Sequence, residues 1–291
     1  MNAALRIGVF DSGFGGLTVL RELLPQAPQA EFFYVGDTAR LPYGSKSRAT
    51  IARYAVESAQ FLVDQGIEYL VIACNTASAL ALEEIRAAVR IPVLGVIETG
   101  AASAAAASHS RDVLVLATDA TVQSHAYAQA CAQHGLRALE KACPLLVPLI
   151  EEGWTEHPVT AEVLRIYLDE ALRQAQAVNW QPDTVLLGCT HYPLLRPLLA
   201  RTLPTAMRIL DSAATTAEHV RADLVARGLM PELGMTLAAA AQTTDADEPA
   251  QEADGARCHF YATDSIEKFQ RLGSRFLGRA MHSVTLMDIG G

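Results

Sequence analysis

Short runs rich in Val, Ile and Leu alternate along the chain with longer stretches of helical spacing, the pattern of βαβ units around a mostly parallel, buried sheet. The runs that read as strands are Leu5 to Phe10, Glu31 to Val35, Glu68 to Ala73, Pro92 to Ile97, Val113 to Ala117, Thr184 to Gly188, Met207 to Leu210 and Cys258 to Ala262. Helices are expected over Leu17 to Leu24, Arg48 to Gln65, Thr76 to Arg90, Val122 to His134, Val159 to Gln174 and Ala213 to Arg227. Ser12, Thr76, Thr121 and Ser212 sit where a side-chain oxygen would serve a free N–H at a helix start. Leu233 to Gly255, rich in Ala, Thr, Asp, Glu and Gln, loses its apolar period after Ala241 and reads as a mobile surface insertion before the last strand.

A weak internal echo runs through this pattern. Leu70-Val-Ile-Ala-Cys74-Asn-Thr and Val185-Leu-Leu-Gly-Cys189-Thr-His share an order of apolar strand, small residue, cysteine and two polar residues. Ile7-Gly-Val-Phe-Asp-Ser and Val113-Leu-Val-Leu-Ala-Thr are each a strand running into a hydroxyl-bearing turn. Two related halves account for this, and the expected fold is α/β with two similar domains, each a mostly parallel sheet flanked by helices. The division expected is residues 1–97 plus 208–291, carrying Cys74 and the insertion, against 98–207, carrying Cys189.

Composition narrows the function classes. In 291 residues, 51% are hydrophobic and 19% charged, enough apolar content for a large core. A net charge of −9 argues against a surface built for nucleic acid or an anionic membrane, since phosphate neutralisation needs clustered Lys and Arg. No apolar run has membrane-spanning length and Met1 to Phe10 has no leader pattern, so a cytoplasmic location is expected. The five cysteines are odd in number and widely spaced, which fits reduced thiols.

Candidate chemistry starts at Cys74 and Cys189, because each follows an apolar strand and precedes a helix-like start. In open α/β sheets ligands bind beyond the carboxyl ends of the strands, and a helix N-terminus favours the thiolate that accepts a proton. One such cysteine is more often a packed small hydrophobe; two in matching contexts point to reaction, leaving Cys131, Cys143 and Cys258 to packing. Asn75, Thr76, Thr190 and His191 cluster hydrogen-bonding groups beside them, and His191 is placed to tune Cys189 or act as its acid partner. No C-x-x-C and no paired-His spacing supplies a metal's remaining ligands. Asp11-Ser-Gly-Phe-Gly-Gly16 reads as an anion cradle at a helix start, with Asp11 open between contacting a substrate ammonium, raising a thiol's basicity and capping a helix. Its spacing is not that of a nucleotide loop. Gly36 to Gly44 should be a loop at the same edge, whose Pro42-Tyr43-Gly44 turn exposes backbone N–H groups to an anion.

These residues resemble the glutamate racemases of the aspartate/glutamate racemase superfamily through nearly the whole chain. The resemblance rests on Phe10-Asp-Ser-Gly-Phe-Gly-Gly16, Gly36-Asp-Thr-Ala-Arg-Leu-Pro-Tyr-Gly44, Ala73-Cys-Asn-Thr-Ala77, Gly188-Cys-Thr-His-Tyr-Pro193 and Leu210-Asp-Ser212. Thr118 to Ser124, Val147 to Glu152 and His259-Phe-Tyr261 match as well, while the 233–255 insertion is longer than the family pattern. The resemblance implies an active site between the domains and cofactor-independent two-base racemization of L-glutamate to D-glutamate for bacterial peptidoglycan, without pyridoxal phosphate or metal. It implies Cys74 acting on the D enantiomer and Cys189 on the L, with Asp11 and His191 assisting them and Glu151 a further helper. Ser12, Tyr43, Gly44, Asn75, Thr76, Thr121 and Thr190 would hold the carboxylates and ammonium. A homodimer is among the assemblies it allows. An aspartate racemase, a cysteine hydrolase using Cys189 and His191, and a binding protein with packed cysteines are the competing readings.

Overall fold

The apolar run ahead of Asp11 forms strand β1 (Arg6–Asp11), five of whose six residues are buried, as a strand covered on both faces requires. In the computed structural model, which describes residues 4–231 and 258–288, β1 pairs in parallel with β2 (Glu31–Gly36) on one side and β3 (Tyr69–Ile72) on the other. Beyond them lie β4 (Val93–Gly95) next to β3, and β9 (Cys258–Ala262) then β10 (Thr285–Leu286) next to β2. The second sheet runs β6-β5-β7-β8, with β5 (Asp112–Ala117) between β6 (Arg137–Ala142) and β7 (Thr184–Gly188), and β8 (Arg208–Asp211) outside β7. Both sheets are parallel throughout the described residues.

The order β2-β1-β3-β4 and the order β6-β5-β7-β8 are the same topology, so the internal echo of the sequence corresponds to a repeated strand arrangement. In each, the chain leaves the first strand toward one side and later crosses to the other, which opens a crevice at the carboxyl ends of β1/β3 and of β5/β7. Because β8 pairs with β7, the second sheet reaches Asp211, past the expected division between residues 207 and 208. The largest buried apolar cluster draws Ile7 and Val9 from one sheet and Leu114, Leu116, Val185 and Leu187 from the other.

Helices occupy most of the connections: α1 (Leu17–Gln26), α2 (Arg48–Asp64), α3 (Asn75–Ala88), α4 (Val96–Ala107), α5 (Asp119–Ser124), α6 (Ala126–Gln133), α7 (Leu146–Glu151), α8 (Pro158–Ala177), α9 (Arg196–Thr202), α10 (Ser212–Ala226) and α11 (Ile266–Leu277). Helix α10 packs on both α1 and α4, and Tyr69 OH of β3 donates to Asp223 Oδ2 on it at 2.7 Å.

Several elements differ from the periodicity reading. Strand β4 stops at Gly95, and the Ala-rich segment after it is α4, consistent with the high helix propensity of alanine. Strand β6, Arg-Ala-Leu-Glu-Lys-Ala, is a half-buried edge with too few apolar residues to announce itself. The helix expected over Val122 to His134 is two: Ser124 Oγ donates to Thr121 O at 2.6 Å and accepts from Ala126 N–H at 3.2 Å, and His125 adopts φ 54° at the break. The caps also shift. Cys74 Sγ accepts from Ala77 N–H and Asp211 Oδ1 from Ala214 N–H, while Thr76, Thr121 and Ser212 lie inside their helices and Ser12 stands ahead of α1, whose N-cap is Gly16. The expected 233–255 insertion lies outside the described residues.

The cross-sheet cluster should carry much of the stability. Replacing the fully buried Leu114 by Ala should cost about 2–5 kcal/mol, read as a lower denaturant midpoint with an unchanged slope.

Candidate active site

Four chain segments leave the carboxyl ends of β1, β3, β5 and β7, and their first residues meet around one cavity of about 330 Å³. Its wall includes Ser12 after β1, Cys74, Asn75 and Thr76 after β3, Thr118 after β5, and Cys189, Thr190 and His191 after β7. The volume is at the small end of the range for small-molecule sites, roughly 300–1,000 Å³. Both sulfurs therefore belong to one cavity although they come from different sheets. Thr18 Oγ1 of α1 donates to Thr190 O at 2.9 Å, tying the first half to the loop that carries Cys189.

On the first side, Cys74 is the N-cap of α3. Its sulfur accepts from Ala77 N–H at 3.4 Å and its S–H donates to Ser12 Oγ at 3.4 Å. Burial pushes this thiol up to about 12, and the Asp11 carboxylate adds to the rise, outweighing the hydrogen bonds that Ser12 and the Ala77 N–H offer the sulfur. Cys74 is thus a protonated thiol at neutral pH, a group able to give a proton. Asp11 does not line the cavity. It is buried, accepts from Gly13 N–H at 2.9 Å, and leaves Oδ1 without a hydrogen-bond partner. Burial raises its carboxyl above the ordinary value, while the charge at His191 and the N–H groups of Gly16 and Gly13 pull the other way. Of the three readings left open for Asp11, a side-chain helix cap is not what it forms, since α1 has no side-chain cap bond.

On the second side the groups form a chain. Cys189 Sγ stands 4.0 Å from His191 Nδ1, and His191 Nε2 stands 3.2 Å from Glu151 Oε1 of α7. Burial alone would lower the imidazole, but the hydrogen bonds and charges of Cys189 and Glu151 carry it up to about 10. Glu151 is held below the ordinary carboxylate value against its own burial by His191 and by Lys268, whose Nζ is 4.0 Å from Oε2. The ring edge of His191 meets Phe276 with centroids 4.8 Å apart. At neutral pH an imidazolium therefore sits beside Cys189, the surrounding a thiolate needs.

The glycines of the first loop act differently from the anion cradle expected of them. Only Ser12 of that loop lines the cavity. A Cβ at Gly15 would fall 2.1 Å from Thr190 Oγ1 and 2.5 Å from His191 Nδ1, so the bare backbone is what lets the two halves close on each other. Tyr43 and Gly44 line the cavity, but the Tyr43 hydroxyl is committed to Asp37 Oδ2 at 2.6 Å, so it is not the group offered to a ligand. Thr121 is fully buried behind the wall, sharing hydroxyl contacts with Thr76 at 3.3 Å and Thr118 at 3.0 Å. Thr118 takes the lining position instead. The echo between the turns at Ser12 and Thr118 was the signal that could have found it. Val147, Pro148, Glu152 and Lys268 also line the cavity. Lys268 had no local signal, because it comes from α11, far along the chain, and reaches the site over the ring of Phe14. Among the described residues, no group of three or more His, Cys, Asp and Glu side chains is arranged to hold a metal ion.

Known proteins resemble this chain over nearly its whole length. The family model described as Asp/Glu/Hydantoin racemase matches residues 7–220. A glutamate racemase of Koribacter versatilis is 51% identical over 287 residues, 98% of each chain, and one of Geobacter metallireducens is 43% identical over 96% of this chain and 94% of the other. Among solved structures, glutamate racemase from Francisella tularensis in complex with D-glutamate superposes with a TM-score of 0.81 at 32% identity, covering 98% of both chains.

The raised imidazole has a measurable sign. A group whose folded value lies above its ordinary value of 6.5 contributes stability that is complete below that value and is lost as pH rises through about 10. Glu151→Gln should bring the His191 titration, followed by NMR of its ring, down from about 10 and flatten the alkaline loss of stability.

Proposed function

The chain belongs to the Asp/Glu/Hydantoin racemase family, and from that membership and the two thiols of one cavity we propose that it interconverts L- and D-glutamate by two-base proton transfer. The enzyme is an isomerase, an amino-acid racemase, and its product D-glutamate serves peptidoglycan synthesis in the cytoplasm. The observation that carries the mechanism is that the sulfurs of Cys74 and Cys189, carried by loops from different sheets, line one cavity. In each direction one sulfur must be bare and the other loaded, and the two exchange these roles when the direction reverses.

In the L-to-D direction Cys189, as thiolate, takes the α-proton, and the Cys74 S–H delivers its proton to the opposite face. In the reverse direction Cys74 is the base, and the Asp11 charge that disfavours its thiolate also makes that thiolate a stronger base once formed. Glu151 keeps His191 charged and oriented. The hydroxyls of Ser12, Thr76, Thr118 and Thr190, the amide of Asn75 and the backbone of Tyr43 and Gly44 hold the substrate's carboxylates and ammonium as fixed dipoles around the developing carbanion. Thr121 supports Thr76 and Thr118 from behind. The sequence Cys189, His191, Glu151 has by itself the order of a hydrolase's nucleophile, base and orienting group; a hydrolase has no use for Cys74 in the same cavity.

Purified protein incubated with L-glutamate in D2O, without added cofactor, should exchange the α-proton and lose optical rotation, with L-aspartate beside it turned over far more slowly. Cys74→Ser and Cys189→Ser should each lower inversion by at least roughly 100-fold. Normal inversion by either variant would overturn the two-base reading.

A further inference from the structure

Tyr127 stands just outside the cavity wall and touches both reacting loops. It is fully buried on α6, in the second half of the chain, and its hydroxyl donates to Asn75 Oδ1 at 2.6 Å across to the first half. Asn75 is the residue after Cys74. The tyrosine ring lies against Gly188, the residue before Cys189: a Cβ there would come within 2.8 Å of Tyr127 Cε2, and one at Gly100 of α4 within 3.3 Å of Cε1. One rigid side chain therefore spans from the Cys189 strand to the residue beside Cys74.

The bond also fixes how the Asn75 amide is turned. With Oδ1 bound to the tyrosine, Nδ2 is left as a buried donor with no partner in the protein, on a residue that lines the cavity. Buried donors are costly to leave unpaired, so this one is suited to an acceptor that arrives with the ligand. A carboxylate is such an acceptor. Burial keeps the phenol protonated well past neutral pH, so it stays the donor and Oδ1 stays its acceptor.

We propose that Tyr127 is a positioning residue, a strut that orients the Asn75 amide toward a carboxylate of glutamate and holds the Cys74 and Cys189 loops in register. The inference rests on the racemase reading above and extends it to a residue that does not touch the substrate.

Tyr127→Phe removes the hydroxyl and keeps the ring that packs on Gly188, so the fold and the thermal midpoint should hold. KM for both L- and D-glutamate should rise about tenfold while kcat falls much less, because the lost interaction serves ground state and transition state alike. In an Asn75→Ala background the same substitution should change KM no further, since the strut acts through that amide. A general loosening of the fold would instead lower the thermal midpoint and act equally in both backgrounds, and that result would overturn the proposal. A wild-type enzyme that racemises glutamate together with a Tyr127→Phe variant whose KM stays within twofold would overturn the strut and leave the racemase reading standing. Absence of turnover by the wild-type protein would bring down the reading itself and the strut with it.

Discussion

A hydrogen is moved most directly from one face of a carbon to the other when a base and an acid stand on opposite sides of it, and no single sheet edge offers two sides. Two parallel sheets of the same strand order, with their carboxyl ends turned toward one cavity, meet that requirement. Each contributes the crevice between its first and third strands, and each third strand runs directly into a cysteine. The rest of the architecture keeps these two crevices together. The shared apolar cluster, the packing of α10 on α1 and α4, and the bonds from Thr18 to Thr190 and from Tyr127 to Asn75 all cross between the halves.

The two sulfurs have equivalent places in the fold but different electrostatic surroundings. Cys74 is enclosed with a carboxylate and small hydroxyl and amide donors, and burial dominates its protonation. Cys189 faces a histidine whose positive charge is maintained by Glu151 and by the sulfur itself, while Lys268 helps keep Glu151 ionised. Symmetry in the backbone thus coexists with asymmetry in charge.

Glycine has a specific part in this closure. Gly15 admits Thr190 and His191 where any side chain would collide, and Gly16 does the same for Asp11, whose Cβ would be 2.5 Å from a methyl placed there. The loop that reads as a cradle for a ligand is, in the folded chain, mainly a seat for the opposite half of the protein. Ser12 alone in that loop reaches the cavity.

Much of this was legible from the chain by itself. Continuous apolar runs marked seven of the eight expected strands to within about two residues at either end; the eighth, from Pro92 to Ile97, runs straight into α4 at Val96. The repeated strand-to-cysteine turns marked the site, because both are patterns of neighbouring residues. Strand β6 escaped because a sheet edge needs little apolar side chain, and the break at His125 because a hydroxyl, rather than a glycine or proline, ends that helix. What only the tertiary structure decided are relations between distant residues: Tyr127 with Asn75, Lys268 with Glu151, Thr118 in place of Thr121 at the wall, and the protonation of Cys74 and His191. Spacing along a chain encodes which face a residue presents. Burial and charge depend on what folds against that face, and here those partners lie in other segments of the chain.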